Sequence, residues 1–133
     1  MLSLWRANMQ HNAKKILIVS SSGRPLAASA TRAGCQAYVI DLFEDFDTSA
    51  LSVASKNACA NNAFHFDESK LQQAVQTFDD VEFDAVVYGA GFEADTHLLE
   101  TLNTKNKLFG NSAELVRNLK DPATFFGLLG SLE

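Results

Sequence analysis

Apolar residues along this chain come in two alternating rhythms, short continuous runs and stripes at helical spacing. Lys15-Ile16-Leu17-Ile18-Val19-Ser20 is nearly unbroken and rich in β-branched residues, as a strand buried on both faces should be. Ser21-Ser22-Gly23 is a turn cluster. After Arg24, Pro25 suits a first helical turn, where its missing N–H costs nothing. Leu26, Ala27, Ala30 and Ala33 then share one helical face, and Gly34 supplies the stop. Ala37-Tyr38-Val39-Ile40-Asp41 is a second buried strand ending in an acid. Strand, glycine turn, helix and strand over residues 15–41 make a βαβ unit.

Residues 42–62 mix acids with Ser, Ala and Asn, and predict a loop with one weak helix around residues 49–58. Ala63-Phe64-His65-Phe66 reads as a short edge strand. Asp67 is placed to cap a helix over residues 68–78, with Leu71, Ala74, Val75 and Phe78 in one stripe. Residues 83–89 form a third clear strand, followed by Ala90-Gly91-Phe92-Glu93. Asp95 or Thr96 should cap a helix through Leu98, Leu99 and Leu102. Residues 107–110 give a short strand, Ser112 caps a helix carrying Leu115, Val116 and Leu119, and Pro122 restarts a last helix over residues 123–129. Strands alternating with helices predict an α/β fold: a doubly wound, mostly parallel sheet of four to five strands, Rossmann-like, with helices on both faces. Phe125, Phe126, Leu128 and Leu129 are bulky for a terminal helix, which is how a chain cut before its next domain would read.

Composition narrows the function classes. The 133 residues carry 11 basic and 16 acidic side chains, net charge −5, which argues against a nucleic-acid module. No apolar run approaches the ~18 residues of a membrane span. Two cysteines, Cys35 and Cys59, make no disulfide framework, so the expected setting is cytoplasmic. Residues 1–13, with Trp5, Arg6 and His11, lack the apolar core of a signal peptide and read as a terminal extension.

In an open α/β sheet, ligands sit outside the carboxyl ends of the strands where strand order reverses. Two loops have suitable chemistry. Ser21, Ser22, Gly23 and Arg24 offer backbone donors at a helix start, two hydroxyls and a guanidinium, a set suited to a carboxylate or phosphate. Gly89, Gly91, Phe92 and Glu93 allow close backbone approach and add an aromatic ring and an acid. If the third clear strand neighbours the first, both loops face one crevice; each is equally an ordinary turn that needs glycine for its dihedrals. The dinucleotide fingerprint fails, because Gly23 stands alone where three glycines are required, and the Gly-Lys-Ser/Thr of a P-loop is absent. Asp41 occupies the place of a ribose-binding acid, although an acid there is more commonly a solvated loop residue. Glu44, Asp45 and Asp47 read as a solvated loop in preference to a cation site. His11, His65 and His97 are too scattered for zinc. No catalytic set and no metal site stand out.

Leu108-Phe109-Gly110-Asn111-Ser112-Ala113-Glu114-Leu115-Val116-Arg117, followed by Lys120-Asp121-Pro122, resembles the segment leading into the ATP-grasp fold. Biotin carboxylases and carbamoyl-phosphate synthase large chains have a similar strand, a Gly-x-Ser/Asn turn, an acid-bearing helix and an Asp-Lys pair. Residues 16–34 and 83–93 look like the small Rossmann-like domain that precedes ATP-grasp, and the chain is similar to ATP-grasp proteins described as predicted ATP-dependent carboligases.

The resemblance implies a division into a terminal extension (1–13), a pre-ATP-grasp domain (14–120) and the start of a connection (121–133) to a missing C-terminal ATP-grasp domain of the same polypeptide. It implies that the whole protein uses ATP and magnesium, held by later subdomains, to join a carboxylate to an amine or related nucleophile through an acyl phosphate. This chain would be inactive alone, would hold no cofactor and would help bind a small-molecule substrate through the two loops; a homodimer is left open. Lys120 is carried over as a nucleotide contact, but where many relatives have Lys directly after Asp this sequence has Pro122, and Lys120 reads equally as a solvated charge at a helix C-terminus. The alternative is a self-sufficient nucleotide- or flavin-binding α/β module. A phospho-acceptor domain ranks last.

Overall fold

The structure, a computed structural model, describes residues 13–103 and 107–132; Trp5, Arg6 and His11 lie outside the described residues. Along the chain run β1 (Lys15–Val19), α1 (Arg24–Arg32), β2 (Gln36–Asp41), α2 (Phe46–Leu51), β3 (Ala54–Asn57) and α3 (Glu68–Thr77). They are followed by β4 (Ala85–Tyr88), α4 (Leu98–Leu102), β5 (Leu108–Phe109), α5 (Ala113–Lys120) and α6 (Pro122–Gly130). The strands form one sheet in the order β3-β2-β1-β4-β5. All four pairings are parallel, with Leu17 opposite Tyr38 on one side and Val86 on the other.

Alternation along the strands explains the two-sided burial. Leu17, Val19 and Ile40 point to one face, where they pack with Leu71 and Ala74 of α3, Leu98, Leu99 and Leu102 of α4, and Ala113 of α5. Ile18, Ala37 and Val39 point to the other, against Ala27, Leu26 and Ala30 of α1 and Leu51 of α2. The doubly wound parallel sheet expected from the apolar runs is therefore present, with five strands.

Three local expectations are corrected. Residues 49–58 are not one helix: α2 ends at Leu51 and the chain turns into β3, which pairs in parallel with β2 at the edge of the sheet. Residues 63–66 are not a strand; they contribute a single antiparallel bridge between Cys59 and Phe66. Neither Asp95 nor Thr96 caps α4 with its side chain. The N-cap position is His97, and the Asp95 carboxylate bonds to the His97 ring instead. The Asp67 and Ser112 caps stand as read, their side chains accepting from the N–H groups of Lys70 and Leu115; Asp121, which the sequence reading did not mark as a cap, accepts the Thr124 N–H at the start of α6.

The entry to β1 is fixed by an acid from the neighbouring strand's approach. Asp84 accepts the Lys15 N–H at 2.9 Å and the Lys14 ammonium at 3.0 Å. These bonds, the Lys15 N–H first, hold its carboxyl below the ordinary Asp value. A depressed native pKa contributes stability that is present above the unfolded pKa and is lost as pH falls through the native one. Asp84→Asn should therefore flatten that acid limb, measured as urea midpoints from about pH 7 down to about pH 2. An unchanged limb in the variant would show that the bonds contribute nothing.

Candidate functional site

Strand order reverses at β1: β2 and β3 lie to one side of it, β4 and β5 to the other. The carboxyl ends of β1 and β4 are therefore the switch point of the sheet, where the two glycine loops emerge. They meet there directly. Ser21 donates to the Ala90 carbonyl from its backbone N–H at 2.7 Å and from its hydroxyl at 3.1 Å.

A buried acid sets the shape of the first loop. Asp41, at the end of β2, is 1% exposed, so the reading of it as a solvated loop residue is corrected. Its Oδ2 accepts the Gly23 N–H at 3.0 Å; its Oδ1 accepts those of Phe43 and Glu44 at 3.1 and 2.7 Å. Buried charge is tolerated only when so hydrogen-bonded. Gly23 is required by close approach: an added Cβ would run into Val39 Cγ1. The carboxylate thus ties the loop after β1 to the turn after β2.

The second loop is shaped by Gly91, whose φ of +116° is a backbone state that side chains strain to adopt. A Cβ there would also stand 2.6 Å from Ser21 Oγ and 2.8 Å from Phe66 Cε2. Phe92 is buried beneath the loop, its ring stacked on Phe66 at 5.0 Å and edge-on to Tyr88 at 5.6 Å. Glu93 folds back to accept the Gly91 N–H at 2.8 Å. That bond above all, helped by its own N–H and by the charge of Lys120, holds its carboxyl below the ordinary Glu value. Glu93 is therefore an anion suited to accept hydrogen bonds or pair with a cation.

The groups left facing outward are few. Ser22 is exposed. Arg24 is exposed and pairs with Asp47 of α2 at 3.1 Å. Helix geometry leaves the first-turn N–H groups of α1 without intrahelical acceptors, and Pro25 removes one of them. Asp45 caps α2 by accepting the Thr48 N–H at 2.8 Å, so the acids after β2 serve local structure. Beside the second loop lies a shallow cleft of about 450 Å³, bordered by Glu93, Thr96, His97, Arg117 and Lys120.

These residues can bind and orient; they do not assemble a nucleophile with a base. A nucleotide pyrophosphate does not fit the first loop as built, since the N–H groups of Ser21 and Gly23 already have protein acceptors. Among the described residues no three His, Cys, Asp or Glu side chains converge to hold a metal ion. No helix among them is long and apolar enough to cross a membrane. The sequence reading placed the two loops at one crevice; it passed over Asp41 as a latch and over His97 and Arg117 as neighbours of the second loop.

No family model and no curated protein matches the chain. Solved structures do. An N5-carboxyaminoimidazole ribonucleotide synthetase in its ADP complex matches 90% of this chain and 29% of its own, at 19% identity and a TM-score of 0.61. The Staphylococcus aureus N5-carboxyaminoimidazole synthetase complexed with ADP matches 89% of this chain and 29% of its own, at 24% identity and a TM-score of 0.61. Urea amidolyase of K. lactis matches 97% of this chain and 8% of its own, at 12% identity and a TM-score of 0.67. The chain spans about 29% of the length of the synthetases, and at these identities the likeness is one of fold.

Proposed function

We propose that this chain is the substrate-side domain of an ATP-grasp ligase that joins a carboxylate to an amine or related nucleophile through an acyl phosphate, and that it does not catalyse alone. One observation carries the reading. The fold is shared over 90% of this chain with a synthetase of which it covers only 29%. The exposed apolar surface of α5 and α6 supports it: Leu115, Leu119, Phe125, Phe126, Leu128 and Leu129 all stand open to solvent. A helix apolar around its whole circumference, as α6 is, normally lies within a larger protein. A C-terminal ATP-grasp domain of the same polypeptide is the partner we assign to that surface.

Magnesium-ATP, held by that domain, would supply the phosphoryl group that activates the carboxylate. The residues here serve orientation. Arg24 receives the carboxylate or phosphate of the small substrate by exchanging its bond to Asp47, with the Ser22 hydroxyl and the first-turn N–H groups of α1 beside it. Gly89 and Gly91 keep the opposite wall low, Phe92 supports it from below, and Glu93 accepts from a donor on the substrate. Lys120, across the cleft from Glu93, is the residue of this chain nearest in role to a nucleotide contact.

The assignment of the crevice is tested by amide NMR of the whole chain titrated with inorganic phosphate and, separately, with acetate. Saturable shifts should concentrate at residues 21–26 and 89–93 and should weaken in Arg24→Ala. Shifts that spread without saturation, or that survive the substitution unchanged, would remove Arg24 and its loop from the site.

A further inference from the structure

His97 stands between two carboxylates from different parts of the chain. Its Nδ1 meets Asp95 Oδ1 in the same loop, and its Nε2 lies 3.4 Å from Glu68 Oε2, on the first residue of α3. Ionised carboxylates only accept hydrogen bonds. A neutral imidazole has one N–H, which the Asp95 contact takes; the approach of Glu68 to Nε2 at 3.4 Å becomes an ion pair only when the ring carries its second proton. The arrangement therefore selects the charged ring by its geometry.

The elements joined matter. Glu68 is fixed at the start of α3 by the Asp67 cap, and α3 packs on the sheet through Leu71 and Ala74. His97 and Asp95 close the loop that begins at Gly89 and contains Gly91, Phe92 and Glu93. We propose that His97 is a pH-sensitive clasp that, when protonated, fastens the β4–α4 loop of the crevice to α3, and that releases the Glu68 end when it loses its proton. The inference concerns this loop whatever ligand the crevice takes.

Other charges nearby act in both directions. Glu93, on the same loop, and Asp121, at the start of α6, add negative potential to the cleft that His97 borders, while Arg117 and Lys120 of α5 oppose it. Glu100 lies in the first turn of α4 itself. The direct bonds to Asp95 and then Glu68 outweigh these and raise the His97 pKa above its ordinary value. A raised native pKa means that the stabilisation is complete below the unfolded pKa and is lost as pH rises through the native one. His97 and Glu68 are about half exposed, so salt should weaken the clasp.

The test follows the ring nitrogens of His97 by NMR in the whole chain across about pH 5 to 9, with backbone relaxation of residues 91–97 recorded alongside. The expected result is two protonated ring nitrogens in the acid range, and a pKa above that of a free imidazole that falls in Glu68→Gln. The mobility of residues 91–97 should rise with pH through that same pKa. In His97→Gln, which keeps a polar side chain but cannot titrate, the pH dependence of the loop should vanish. A His97 that titrates identically in the native chain and in Glu68→Gln would overturn the proposal. So would loop mobility that is independent of pH in the native chain, or equally pH-dependent in His97→Gln.

Discussion

Replacing Phe92 with alanine is expected to destabilise the fold by about 3–5 kcal/mol, the usual cost of emptying a buried aromatic site. The ring is 1% exposed and closes a small aromatic stack with Phe66 and Tyr88 under the second crevice loop. For a domain of this length each kcal/mol moves the thermal midpoint by roughly 3–6 °C, so a fall of at least about 10 °C should be seen in a melting curve. Ser22→Ala, at an exposed position of the facing loop, should move stability by no more than about 0.5 kcal/mol. The contrast separates two roles within one site: Phe92 supports the loop from the core, while Ser22 is free to meet a ligand. A Phe92→Ala loss below about 1 kcal/mol would mean that the ring is not part of the packed interior.

Asp41→Ala should be nearly as damaging. The buried carboxylate receives three backbone N–H groups, a buried one from Gly23 and two part-buried ones from Phe43 and Glu44. Hydrogen bonds to a charged acceptor contribute about 1.5–3 kcal/mol each, and removing the acceptor leaves the buried Gly23 donor without a partner. Contributions that share one acceptor do not add fully, and about 3 kcal/mol is the expected loss in urea unfolding. Asp41→Asn should recover part of it, because one amide oxygen still accepts, while the NH₂ group meets a donor where Oδ2 had accepted. Hydrogen exchange adds a local reading: the Gly23 and Glu44 amides should lose protection more than the strand centre at Val39. Equal protection at Gly23 in the native chain and in Asp41→Ala would show that the latch does not hold the loop.

The parts of this fold that the sequence made legible are those with one dominant signal. Residues 15–20, 37–41 and 83–89 are apolar on both pleats, so a central parallel strand is the simplest element that buries them, and the two glycine loops follow at their carboxyl ends. Residues 42–66 gave no such signal. β3 is an edge strand of Ala, Ser, Lys and Asn, formed because its backbone finds β2 and not because its side chains need cover. Asp41 was visible as an acid after an apolar run, but its inward direction shows only once the loop at Gly23 is laid over buried Val39, two positions earlier on the same pleat. The contact of His97 with Glu68 joins residues far apart in sequence through the packing of α3 beside α4, which no local pattern announces. The apolar circumference of α6 was legible directly from Phe125 to Leu129.

The most direct test of the account is a calorimetric titration of the whole 133-residue chain with magnesium-ATP, NAD, NADP and FMN in turn. A native-state ligand at a hundred times its dissociation constant adds about 2.7 kcal/mol of stability, so the same samples can be checked by their melting temperatures. No saturable heat and no shift beyond those given by inorganic phosphate are expected with any of the four, since the proposed reading gives the nucleotide to a C-terminal ATP-grasp domain and the loop donors of Ser21 and Gly23 already have protein acceptors. Saturable binding of any one of them more tightly than inorganic phosphate, with a matching rise in melting temperature, would contradict that reading and make this chain a self-sufficient nucleotide-binding module.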